Sequence, residues 1–67
     1  NYAELLTIQG NTAALLARLN LMLAANQVTA GTLARIGVAV DDLKIPLHRI
    51  VTATTMLMAS PEYLILK

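Results

Sequence analysis

Few residues in this chain have side chains suited to chemistry. His48 is the only histidine, cysteine is absent, and the acids are Glu4, Asp41, Asp42 and Glu62. General acid–base work by His48 needs a partner within hydrogen-bond reach. Its position beside Arg49 puts it on the outer face of a predicted helix, where it reads as a solvated surface group. Asp41-Asp42 could begin a cation site, but no spaced set of oxygen ligands follows and Lys44 is adjacent. The pair reads instead as a charged helix end. Ser60 lacks the Gly-flanked elbow of a nucleophile. Followed by Pro61 and Glu62, it is a helix cap with Pro at the first position and an acid in the first turn. Tyr2 and Tyr63 suit packing, with a hydroxyl reaching water. No Gly-rich phosphate loop is present. No catalytic, cofactor-binding or metal-binding residue is assigned.

Nucleic-acid binding is not expected either. The basic residues Arg18, Arg35, Lys44, Arg49 and Lys67 are scattered, nearly balanced by acids, and accompanied by no aromatic ladder. The composition explains why chemistry is scarce. Of 67 residues, 57% are hydrophobic and 13% charged, with a net charge of +1. That is too apolar and too weakly charged for a disordered chain. The absence of Cys excludes a disulfide framework and a thiolate metal site. The length supports one domain, 1–67, which should expose about 4,100 Å² when folded. So small a surface has more apolar residues than it needs, which implies burial against something else.

The spacing of apolar residues is helical throughout. Tyr2, Leu5, Leu6 and Ile8 predict one or two turns within 1–9, stopped by Gly10, with Asn11 capping the next helix. A helix from Thr12 to about Ala25 is rich in Ala, Leu and Met. Its inner stripe is Leu15, Leu16, Leu19, Met22 and Leu23, with Asn20 off to one side. The other side carries Ala14, Ala17, Leu21 and Ala25, with Arg18 as its only charge. A helix apolar nearly all round is a buried one. Thr29 caps a third helix, Ala30 to Leu43, with Leu33, Ile36, Val40 and Leu43 on one face. Gly37 beside that stripe suggests close approach of another backbone, and Arg35 and Asp42 face solvent. Ile45-Pro46 breaks the chain and starts a fourth helix running to about Ala59. Its expected inner stripe is Leu47, Ile50, Val51, Thr54, Leu57 and Met58, with His48, Arg49, Thr52 and Thr55 outside. A short last turn spans Pro61 to Leu66.

The expected fold is therefore all-α: a small bundle of three main helices with short helical pieces at both ends. The longest charge-free run, Leu19 to Ala34, has a turn in its middle, so no membrane span is expected. The first residue is not Met and no signal sequence is present, which suggests a processed piece of a longer protein.

Two stretches have a familiar wording. They are Gly10-Asn11-Thr12-Ala13-Ala14-Leu15-Leu16-Ala17-Arg18-Leu19-Asn20-Leu21-Met22-Leu23 and Met58-Ala59-Ser60-Pro61-Glu62-Tyr63-Leu64-Ile65. With Arg49-Ile50-Val51 opening the helix between them, they resemble the C-terminal region of the bacterial domain-of-unknown-function family eighteen hundred. Leu66 departs from the pattern, which usually turns polar there. The resemblance implies a C-terminal fragment of a long, exported, mostly helical protein, hence a periplasmic or extracellular setting. It carries over no catalytic residue. The expected function is a structural or protein-interaction module without its own active site. Its candidate interaction face is Ala14, Ala17, Arg18, Leu21 and Ala25, and its partner is the rest of a parent chain or another copy. The alternatives are a non-catalytic fragment of an enzyme and a small helical nucleic-acid binder.

Overall fold

The computed structural model describes residues 2–66. Five helices follow one another: α1 (Tyr2–Ile8), α2 (Thr12–Ala24), α3 (Ala30–Asp41), α4 (Pro46–Met58) and α5 (Pro61–Leu66). Every regular element among the described residues is an α-helix, so the fold is all-α as expected. Helices α2, α3 and α4 form the body, with α1 against α2 and α4, and α5 against α4. Asn1 and Lys67 lie outside the described residues, as does the side chain of Leu66.

The caps fall where the sequence places them. The Asn11 side chain accepts from the Ala14 amide at 3.1 Å. Thr29 accepts from the Thr32 amide at the start of α3. Pro46 sits in the first turn of α4. Ser60 accepts from the Tyr63 amide at 3.3 Å, while its own hydroxyl donates to the Leu57 carbonyl at 2.6 Å. That confirms the capping role and leaves the hydroxyl proton engaged. Helix α3 stops at Asp41, two residues before the expected end, and Leu43 packs half-buried in the turn that follows.

The core gathers Leu5, Leu15, Leu16, Leu19, Ala24, Val28, Ile36, Val40, Ile50, Ala53 and Leu57. The exposed area is 4,050 Å², close to the monomer value that its mass implies. Two predicted stripes are rotated. On α2, Met22 and Leu23 are exposed, and the second half of the helix instead turns Asn20 and Ala24 inward. The cause is the α2–α3 turn, which folds back over that half. The Asn20 amide donates to the Val28 carbonyl and accepts from the Val28 N–H, both at 3.1 Å. On α4, the buried residues are Arg49, Ile50, Ala53 and Leu57, whereas Leu47, Val51 and Met58 are exposed.

Arg49, expected outside, is only 8% exposed. Its Nε donates to the Gln9 carbonyl at 3.0 Å, and its Nη1 to the Val40 and Leu43 carbonyls at 2.9 and 3.1 Å. Its Nη2 donates to Thr12 Oγ1 at 2.6 Å, and that hydroxyl donates to Asp41 Oδ1. Helix C-termini leave carbonyls without intrahelical partners and carry partial negative charge. A guanidinium with its planar fork of donors meets both needs at the ends of α1 and α3. That competition outweighs the apolar pattern and rolls α4 toward Arg49.

A second polar clamp ties the start of α5 to the start of α3. Glu62 Oε2 accepts from Thr32 Oγ1 at 2.6 Å, Thr29 Oγ1 at 2.7 Å and the Thr29 amide at 3.1 Å. The Thr32 hydroxyl, then the Thr29 hydroxyl, hold its carboxyl at a pKa of about 2, below the usual 4.5. A depressed carboxylate pKa adds stability above the unfolded value and loses it as pH falls toward the folded one. Between pH 4.5 and about 2, therefore, wild type should lose urea resistance faster than Glu62→Gln. Parallel acid profiles of the urea midpoint in the two proteins would refute the clamp.

Candidate functional site

An open concavity between α2 and α3 follows from residue size. Helices α2 and α3 face each other through small residues: Ala13 and Ala17 on one side, Ala30, Ala34 and Gly37 on the other. Helix axes pack 8–10 Å apart at closest, and alanine side chains cannot fill the space above such a crossing. The result is a groove of about 410 Å³. Leu16 and Leu33 contribute its larger apolar surfaces, and Val38, 70% exposed, stands at its edge. Thr12 and Asp41 supply the polar lining. Here the Thr12 hydroxyl lies between the Asp41 carboxylate and the buried Arg49 guanidinium.

Gly37 does not serve a backbone approach, contrary to expectation. A Cβ placed there would meet the side chains Leu16 Cδ1 at 3.5 Å and Thr12 Cγ2 at 3.7 Å, both ordinary contacts. Its effect is to deepen the groove by one methyl group.

The five residues of the sequence-derived interaction face are spread over different environments. Ala17 lines the groove. Leu21 is 49% exposed and so is no core residue. Ala14 is half-buried, with its amide engaged by the Asn11 cap. Arg18 Nε pairs with Glu4 Oε1 at 3.1 Å, tying α2 to α1. Ala25 is the left-handed cap of α2, with φ 50°. The missed wall residues Ala13, Ala30 and Ala34 had a signal: Ala13 with Ala17, and Ala30 with Ala34, are small pairs at i, i+4, which share a helix face.

His48 is exposed on α4, as expected. Among the described residues, no group of three or more His, Asp or Glu gathers as a metal would require. No helix among them is long and apolar enough to cross a membrane. The basic residues Arg18, Arg35 and Arg49 are each tied into the fold, Arg35 through a 3.4 Å bond from its Nη2 to Thr32 Oγ1. Comparison with protein-family models, curated proteins and solved structures finds no significant match, so any reading of function rests on the groove and the surfaces beside it.

Proposed function

We propose that this chain is a helical docking module without an active site of its own, acting by packing other helices against its surface. The observation that carries this reading is the 410 Å³ groove between α2 and α3, walled by small residues that admit a close helix approach. The exposed Leu21 on α2 and Leu47, Val51 and Met58 on α4 support it, because they add apolar surface outside the groove. Such patches on small proteins mark interaction sites. An origin in the C-terminal part of a long exported helical protein is proposed beside it, on the wording of the Ser60–Ile65 ending.

An apolar dye tests the docking surface directly. At low micromolar protein, 1-anilinonaphthalene-8-sulfonate should brighten on binding, and Ala34→Glu should abolish most of the signal with the helical circular dichroism unchanged. Ala34 is exposed, so the variant should fold. A wild type that leaves the dye dark, or a signal indifferent to Ala34→Glu, would overturn the reading.

A further inference from the structure

The five helices are not held equally. Helices α1 to α4 each bury at least one residue, whereas none of the described side chains of α5 is buried. Leu64 is 56% and Ile65 83% exposed, and Tyr63 packs half-buried against the core. The long-range hydrogen bonds of α5, among the described residues, converge on one atom. Glu62 Oε2 accepts from the Thr29 amide, the Thr29 hydroxyl and the Thr32 hydroxyl, 33 and 30 positions earlier. Bonds to a carboxylate are of the stronger, charge-assisted kind. The residue before α5 belongs to the body instead: Ser60 is buried, and both its amide and its hydroxyl donate to the Leu57 carbonyl. Pro61 has no N–H to add to that junction. A segment with few buried apolar contacts opens at a lower free energy than the core beneath it.

We infer that α5 is a latched strap: it swings open as a unit about Ser60-Pro61 while α1 to α4 stay folded, and Glu62 is the latch. Opening bares the Thr29 and Thr32 hydroxyls at the head of α3 and the core surface beneath Tyr63. The inference is independent of the docking reading, because no residue of α5 lines the α2–α3 groove. It has a signature that simple fraying lacks. The Thr29 amide stands in the turn before α3, yet its acceptor is carried by α5. The Leu64 amide donates to the Ser60 carbonyl inside the strap. Unit opening frees both amides in one event, whereas fraying of the far end of α5 frees Leu64 and leaves Thr29 bonded.

Native-state hydrogen exchange of the whole chain, read amide by amide by NMR, tests this. Thr29 and Leu64 should show the same protection factor, below that of Leu19 and Ala53 in the core, and a weaker dependence on urea. Glu62→Gln weakens the latch and should speed exchange at Thr29 and Leu64 together, by about tenfold. Thr32→Val removes the 2.6 Å donor with little change of shape and should act in the same direction. Ile50→Val separates strap from body. It deletes a buried methyl group that the open state still packs, so it should speed Leu19 and Ala53 several-fold and leave Thr29 and Leu64 unchanged. If Ile50→Val speeds all four amides alike, α5 opens only by global unfolding and the inference falls. It falls equally if Leu64 exchanges faster than Thr29 and Glu62→Gln moves neither, because α5 then frays without a latch.

Discussion

Replacing Arg49 with Met is expected to destabilise the chain by about 3–5 kcal/mol, the low end for three buried acceptors left without a donor at about 1–3 kcal/mol each. Total stability for 67 residues is about 3–10 kcal/mol. The variant should therefore be unfolded or close to it at 37 °C. Met keeps much of the apolar stem, so lost packing contributes little. The loss comes from acceptors left behind. The Gln9 and Leu43 carbonyls and Thr12 Oγ1 each lose a charged donor. The Val40 carbonyl keeps a bond from the Leu43 amide and suffers less. Three helices lose their common tie at once, since these groups belong to the ends of α1 and α3 and the start of α2.

Arg49→Lys separates charge from geometry. Lys keeps the charge but presents a point donor instead of a planar fork. It can satisfy part of the set and should recover part of the loss. Urea unfolding followed by circular dichroism measures both variants. If Arg49→Met lies within about 0.5 kcal/mol of wild type, the range for an ordinary surface change, the hub is not what holds these ends together.

The helices were legible because their signals are local. Asn11, Thr29, Pro46 and Ser60-Pro61 each act within a few residues of themselves, and the structure uses all four as caps or helix starts. Which side of a helix faces inward is decided by residues far away, and there the local pattern failed twice. Arg49 reaches Gln9, 40 positions earlier, and Thr12, 37 positions earlier. No periodicity can register that the ends of α1 and α3 converge on one guanidinium. Once they do, α4 must roll, and Val51 and Met58 leave the core. The groove was legible in part. Ala17 was named from α2 alone, but the opposite wall, Ala30 and Ala34, becomes a wall only when α3 crosses α2. The polar residues thus did more to set orientation than the apolar majority, which fits several equivalent rotations.

Asn20 is the sharpest case, and Asn20→Asp should show it through pH. The side chain is 6% exposed, and its amide mirrors the backbone of Val28 at 3.1 Å in both directions. That pairing closes a turn whose residues Ala25 and Asn26 hold φ of 50° and 64°. Asp has the same shape but no N–H. Ionised, it turns a second oxygen toward the Val28 carbonyl and buries a charge. Protonated, it can donate to that carbonyl and restore the pair. Burial disfavours the charged form, so its folded pKa must rise above the unfolded value of about 3.9. The cost is then small below pH 3.9 and grows as pH rises toward the folded pKa. About 1 kcal/mol is expected at pH 3 and about 3 kcal/mol at pH 7, in line with an unsatisfied buried polar group at the upper end of its range. Asn20→Leu removes donor and acceptor together and should cost a similar amount at both pH values. Urea midpoints at pH 3 and 7 measure the difference. An Asn20→Asp penalty independent of pH would mean that water reaches Val28 and that the turn is held by its backbone alone.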